Sequence, residues 1–327
     1  MLEARHLKKY YTVKEKTGWF SREKQLIRAV DEIDLSIDKG EIVGLLGVNG
    51  AGKTTTIKML STLLTPTSGT ITVDGTNVVE QPNRIKQQVN MIAGGERMLY
   101  WRLTARENLM YFGKLYGLHG QTLTERCRQL IRLVGLDEAA DHPVERYSKG
   151  MKQRLQIARG LINDPDYLFL DEPTLGLDAP VARQLRKTVK DLAKVRNKGI
   201  LLTSHYLEEV QELCDRVYII EKGHLLLHGT PERIIQTVVN IFHLQAVVSG
   251  QSSDSIWLKQ ELEKRNVQVS VKDSDEGKLL HMTASFDMTA SFIALVAKQG
   301  LILKKLEATK PNLEDAIIKL AEESHAS

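Results

Sequence analysis

The sequence predicts an α/β fold followed by a smaller α+β domain, and three observations carry that expectation. Short, almost wholly apolar runs recur in the first two-thirds of the chain: EIVGLLG at 41–47, YLFL at 167–170 and GILL at 199–202. Strands buried on both faces of a parallel sheet read this way. Charged stretches with helical spacing lie between them, so strands alternate with helices over about 230 residues. Beyond GTPERIIQ, at 229–236, the order changes to strand, helix, strand, strand, helix, strand.

Taken in order, Ile33, Leu35 and Ile37 alternate with polar residues, and a Lys39-Gly40 turn separates that strand from EIVGLLG. KTTTIKMLSTLL, at 53–64, has helical spacing. Residues 122–148 are helix-rich, and ERCRQLIRLVGL sets Cys127, Leu130, Ile131 and Val134 on one face. A charged helix, VARQLRKTVKDLAKV, precedes GILLTSH. The tail reads as strand HLQAVVSG, helix SIWLKQELEKR, strands VQVSVKD and KLLHMTAS, helix MTASFIALVAKQG, strand ILKKLEAT and a final helix NLEDAIIKLAEES. The βαββαβ order is that of a ferredoxin-like split motif. One insertion, TVKEKTGWFSREKQ at 12–25, is polar with two aromatics and is expected to be a surface loop.

At 327 residues the chain has room for two domains. With 26% charged and 42% apolar residues it has the composition of a soluble globular protein. The net charge of +4 comes without a basic run, so nothing calls for nucleic acid. Cys127 and Cys214 lack metal-like spacing and are expected to be packed thiols in a reducing cytosol. The N-terminal MLEARHLKKYY has no secretory apolar core, and no apolar run approaches the roughly 20 residues of a membrane span.

GVNGAGKTT, at 47–55, matches G-x-x-x-x-G-K-[ST] between an apolar strand and a helix, the context of a P-loop. Gly47, Asn49, Gly50, Ala51 and Gly52 offer backbone N–H groups as an anion nest, continued by Thr55 in the first helical turn. Lys53 can reach the β- and γ-phosphates of a nucleoside triphosphate, and the Thr54 hydroxyl can ligate Mg²⁺. In YLFLDEP a strand delivers Asp171 at its tip to hold Mg²⁺ through water. Glu172, one residue on, is placed to activate an attacking water. A chance glycine turn, or an Asp-Glu pair capping a helix, would explain each motif singly but not the two together.

YSKGMKQR upstream of the carboxylates, and His205 closing LLTSH downstream, make the chain resemble the ATP-binding subunits of ABC transporters. The resemblance covers residues 2–235 and rests on five motifs in order. It implies an ATPase domain over 1–235 with a mostly parallel core sheet, an antiparallel β subdomain and a helical subdomain near 97–160. The small α+β tail then takes 236–327. Tyr147-Ser148-Lys149-Gly150-Met151 corresponds to the family's signature. By resemblance, Ser148, Lys149, Gly150 and Met151 of one subunit face the γ-phosphate held by the other, so that two chains, expected to be a homodimer, enclose two ATPs head to tail. Asp178 in LGLD fits the D-loop, and His205 the switch histidine of the catalytic set with Lys53 and Glu172. In LKKYY, Tyr11 is the best match for the aromatic that stacks on adenine, with Tyr10 the alternative. LLTPTSGTITVDG, LTARENLMYFGKLYGL, YSKGMKQR and LDEPTLGLD look like the subfamily serving ABC-2-type exporters, which includes daunorubicin-resistance and sodium-efflux types.

What the resemblance implies is a peripheral ATPase at the cytoplasmic face of a membrane, coupling dimer closure to transport through a separate permease. One departure stands out. The family's glutamine before the helical subdomain falls at Gly95, while Gln87 and Gln88 lie too early. Glu96, or a carbonyl beside it, is the candidate substitute at the metal, although a carboxylate there would also repel the γ-phosphate. Tyr100 and Trp101, just beyond, are the candidates for the permease-facing surface. The alternative readings are a soluble ABC ATPase acting on ribosomes or nucleic acid, and a P-loop kinase. One cassette without basic surfaces speaks against the former, the signature and switch motifs against the latter.

Overall fold

The computed structural model describes residues 1–16, 22–93, 99–238, 242–250, 252–274, 276–309 and 311–326. The chain divides into two compact units, Met1–Thr230 and Pro231–Ser327. The first begins with β1 (Leu2–Lys16), β2 (Arg22–Ile37), β3 (Ile42–Leu46), α1 (Lys53–Leu60), β4 (Ser68–Val73) and β5 (Thr76–Asn77). Then come α2 (Pro82–Gln88), β6 (Val89–Ile92), α3 (Ala105–Leu115), α4 (Gly120–Leu133), α5 (Lys149–Gly160) and β7 (Tyr167–Asp171). The unit closes with α6 (Ala179–Lys194), β8 (Gly199–Thr203), α7 (Leu207–Leu213), β9 (Arg216–Glu221) and β10 (His224–Gly229).

An antiparallel sheet runs in the order β2–β1–β4–β5. A second sheet, β10–β9–β3–β8–β7–β6, is parallel except where β10 returns against β9. Every residue of β3 and β8 is buried, as is β7 up to its last residue, Asp171. That is why these strands carry apolar runs and not an alternation. Leu2, Leu7, Ile33 and Ile37 of the first sheet share one core with Ile57, Met59 and Leu60 of α1 and Phe169 and Leu201 of the second sheet. Each such side chain contributes roughly 1.5–3 kcal/mol on burial. The helix between P-loop and core is thereby pinned from both sides.

The surface loop expected at 12–25 is in its described parts a continuation of the β1–β2 hairpin, paired from Leu2↔Ile37 out to Lys16↔Arg22. Tyr11–Val13 and Lys24–Ile27 are exposed on the two strands. A ribbon that buries little carries no apolar alternation by which a strand is read. Trp19 and Phe20 lie outside the described residues.

α3 starts with a reciprocal capping box: the Thr104 hydroxyl accepts from the Glu107 N–H, and the Glu107 carboxylate accepts from the Thr104 N–H. α4 buries Leu123, Cys127, Leu130 and Ile131 on one stripe. Both cysteines are free and buried. Burial pushes the Cys127 thiol up to about 11 and raises that of Cys214 as well. Among the described residues no helix is long and apolar enough to cross a membrane.

The second unit comprises α8 (Pro231–Val238), β11 (Phe242–Ser249), α9 (Ser252–Glu263), β12 (Gln268–Ser274), β13 (Gly277–Ala284), α10 (Thr289–Lys298), β14 (Ile302–Thr309) and α11 (Leu313–Ala326). Its sheet runs β12–β13–β11–β14 with all neighbours antiparallel. β11 and β12, joined through α9, are thus split by β13. Leu244, Leu258, Leu280, Met282 and Phe292 are buried in a core of its own.

Candidate active site

The site is built at the C-terminal tips of β3, β7 and β8. Beyond β3 the chain turns through Gly47, whose φ is 151°, and enters α1 through Gly52, whose φ is 108°. A Cβ at Gly47 would stand 2.1 Å from the Ile220 carbonyl oxygen, and one at Gly52 2.5 Å from that of Ala29. Only glycine fits at either place. Val48, Asn49 and Gly50 between them are exposed, and Ala51 is buried beneath. Lys53, only 8% exposed, folds over the loop and donates to the carbonyls of Gly47 at 2.7 Å and Val48 at 3.2 Å. Burial holds its ammonium below the ordinary lysine range, against the opposing pull of Glu172 and Asp171.

Neighbouring strand tips bring the acids to this loop. Thr54 Oγ1 donates to Asp171 Oδ2 at 3.1 Å, and Thr203 Oγ1 donates to Asp171 Oδ1 at 2.6 Å. Glu172 leaves the strand with φ at 54°, a left-handed conformation unusual for a residue with a side chain. Such strain costs about 1–3 kcal/mol and needs support from its surroundings. The support is Thr203, fully buried, whose carbonyl and hydroxyl both accept from the Glu172 N–H, at 3.1 and 3.0 Å. Two residues on, His205 Nε2 lies 2.8 Å from Glu172 Oε1. Asp171, Glu172, Thr54, Lys53 and His205 thus meet in one place, while Thr55 follows in α1 without a side-chain contact of note. Thr203 is the residue that sequence reading missed. Its hydroxyl acquires a role only because β8 pairs alongside β7, Asp171 opposite Thr203.

The candidate signature residues, 148–151, lie at the start of α5. Ser148 caps that helix, its Oγ accepting from the Met151 N–H at 3.2 Å. Ser148 and Lys149 are exposed, Gly150 and Met151 half-buried. Asp178 caps α6 in the same way, accepting from Val181 N–H at 3.0 Å. The two helix starts touch: a Cβ on Gly150 would come within 2.9 Å of Val181 Cγ1. Lys149 Nζ lies against the backbone of Gly176. The candidate signature and D-loop residues therefore lie side by side.

Tyr10 and Tyr11 differ in their engagements. Tyr10 donates its hydroxyl to the buried Asp31 and has Arg28 over its ring at 5.7 Å. Tyr11 is 37% exposed, with Lys9 Nζ 5.4 Å from its ring centre. Tyr100 and Trp101 are each 47% exposed. Tyr100 packs edge-on to Tyr111 at 4.9 Å, and Lys152 Nζ sits 4.6 Å from the Trp101 ring centre. Asn108, fully buried, holds the backbone under them. It accepts from Tyr100 N–H at 2.8 Å and donates to the carbonyls of Tyr100, Leu103 and Thr104. Gly95 and Glu96 lie outside the described residues.

A family model described as ABC transporter matches residues 30–175. The chain is 44% identical over 237 residues to the ABC transporter ATP-binding protein NatA of Bacillus subtilis (strain 168), covering 71% of this chain and 96% of that protein. It is 35% identical over 321 residues to the linearmycin resistance ATP-binding protein LnrL of the same organism, covering 98% of each. A solved ATP-binding subunit of an ABC transporter superposes with a TM-score of 0.60 at 30% identity, covering 72% of this chain and 92% of that one. The motifs, the mixed sheet that presents them and relatives matched over nearly their whole length agree, and the chain belongs to the ATP-binding subunits of ABC transporters, a family of ATPases.

Proposed function

We propose that this ATPase acts as a head-to-tail pair of identical chains at the cytoplasmic face of a membrane, driving export through a separate permease. The carrying observation is the division of labour within one unit. Phosphate loop, acids and histidine converge at the strand tips, while Ser148 and Asp178 stand exposed at the capped starts of α5 and α6, which touch one another. The similarity to LnrL, a linearmycin resistance ATP-binding protein aligned along 98% of this chain, supports the export direction.

In the proposed reaction, ATP phosphates replace the Gly47 and Val48 carbonyls as partners of Lys53 and accept from the loop N–H groups. Tyr11, whose hydroxyl forms no hydrogen bond among the described residues, whereas that of Tyr10 bonds Asp31, stacks on the base. The Thr54 hydroxyl and Asp171 carboxylate, hard oxygens 3.1 Å apart, suit Mg²⁺ and would hold it. Bound there, the ion would neutralise charge between the β- and γ-phosphates. Glu172 takes the proton of the attacking water, and His205 holds Glu172 Oε1 in place until the γ-phosphate draws it away. Ser148, Lys149, Gly150 and Met151 of the second copy close the site. Closure presents the Tyr100–Trp101 surface to the permease.

The test is to purify the chain from membranes and identify what accompanies it, while following Glu172→Gln by size exclusion with and without ATP. An integral-membrane protein in the eluate and an ATP-dependent shift to twice the mass are expected. Recovery of ribosomal RNA or DNA in place of a membrane protein, or no shift at saturating ATP, would refute it.

A further inference from the structure

One buried carboxylate outside this set lies between the two loops that bear Glu172 and His205. Glu209, on α7, is 5% exposed. Its Oε2 accepts from Thr174 Oγ1 at 2.7 Å and from Ser204 Oγ at 2.8 Å, both hydroxyls being buried too. Thr174 lies two residues beyond Glu172, and its carbonyl accepts from the Leu177 N–H at 3.1 Å in the turn that leads to Asp178. Ser204 immediately precedes His205, and its Oγ also accepts from the Tyr206 N–H at 3.0 Å, so the serine hydroxyl brackets the histidine. Among the described residues Glu209 forms no ion pair, and its Oε1 is buried without a hydrogen-bond partner.

Burying a carboxylate away from any cation costs several kcal/mol unless its oxygens are well satisfied. A leucine or alanine would fill this place on α7 without that cost. The two short bonds are what the carboxylate contributes: one acceptor atom receives a donor from each catalytic loop. We propose that Glu209 is a positioning residue for ATP hydrolysis, a latch that ties the Glu172 loop to the His205 loop and keeps their 2.8 Å pair in register. The proposal rests on the reading of Glu172 and His205 as the hydrolytic pair. Glu209 touches neither reactant. Its spare oxygen gives either hydroxyl a second acceptor onto which to step, so the two loops can shift together as nucleotide enters without losing the connection.

The test compares Glu209→Ala, Glu209→Gln, Thr174→Val and Ser204→Ala in the full chain, with melting temperature, ATP KM and kcat measured for each. Glu209→Ala is expected to lower kcat about tenfold with KM within about twofold. Thr174→Val and Ser204→Ala, which leave the carboxylate in place, should each lower kcat by roughly threefold. Glu209→Gln, which retains one acceptor, should restore most of the loss. In the His205→Ala background, Glu209→Ala should cost nothing further, because the latch acts through that histidine. A full multiplicative loss in that background overturns the latch. So do unchanged kcat values for the two hydroxyl variants, or a kcat that falls only in step with the melting temperature. If wild type hydrolyses no ATP, or His205→Ala is as fast as wild type, the hydrolytic reading falls and the latch with it. The two failures are therefore told apart by the wild-type and His205→Ala rates alone.

Discussion

At the tips of β7 and β8 each polar group finds its partner within the chain. Thr54 meets Asp171, Thr203 meets Asp171 and the Glu172 backbone, and His205 meets Glu172. At the start of α5 the side chain of Ser148, among the described residues, only caps its own helix, and that of Asp178 does the same for α6. The first region is a closed circuit of hydrogen bonds with buried Thr203 at its centre. The second is an exposed end whose N–H groups and partial positive charge face outward. The difference teaches which half of an enzyme each region is. On the proposed reading, the preorganised groups handle the water and the exposed helix start serves the nucleotide held by another copy.

The comparison can be broken by substitution, the largest effect coming from the closed circuit. Glu172→Gln should lower phosphate release by about 10³-fold while leaving ATP affinity intact, as removal of a general base does. Rapid turnover by that variant would move the base elsewhere. Next in size is Gly150→Ala, which drives a methyl to within 2.9 Å of the stiff Val181 side chain. Steady-state hydrolysis should fall about tenfold with ATP binding to the single chain nearly unchanged, and the ATP-dependent dimer of Glu172→Gln should weaken. If that dimer forms as before, the surface shared by α5 and α6 is not the joint. Tyr11→Ala should then weaken ATP binding about fivefold to tenfold through lost base stacking. Tyr10→Phe should spare binding and instead cost about 1 kcal/mol of stability by removing its bond to Asp31. Reversed outcomes would exchange the two tyrosines. The smallest effect is expected for Trp101→Ala, whose ATPase rate in isolation should stay within about twofold of wild type. Co-purification with the membrane partner should nevertheless drop, and equal recovery of that partner would remove Trp101 from the docking surface.

What was legible in the amino-acid string follows from how far apart the interacting residues lie. Gly47–Thr55 and Asp171-Glu172 could be read because a strand, a turn and its functional groups are contiguous. Buried β3, β7 and β8 announce themselves by apolar runs. Thr203 and Asn108 could not be read that way. Each is an ordinary polar residue until a neighbouring strand or loop arrives, Asp171 opposite Thr203, and Tyr100 beside Asn108. Ser204, Thr174 and Glu209 meet only after β8 and α7 fold back beside β7. The outer hairpin escapes such reading for the opposite reason: Thr12–Lys16 and Arg22–Gln25 pair along their backbones, and backbone pairing leaves no mark on composition.

Asn108 has a consequence for how such a chain could change its associations. All four of its bonds go to main-chain groups of Tyr100, Leu103 and Thr104, none to the aromatic rings above. The loop's shape is therefore specified from below, and the chemistry displayed on it is left open. On the proposed docking role of Tyr100 and Trp101, successive replacements there would retune which membrane protein is recognised without unsettling the backbone beneath, much as interchangeable bits fit one chuck.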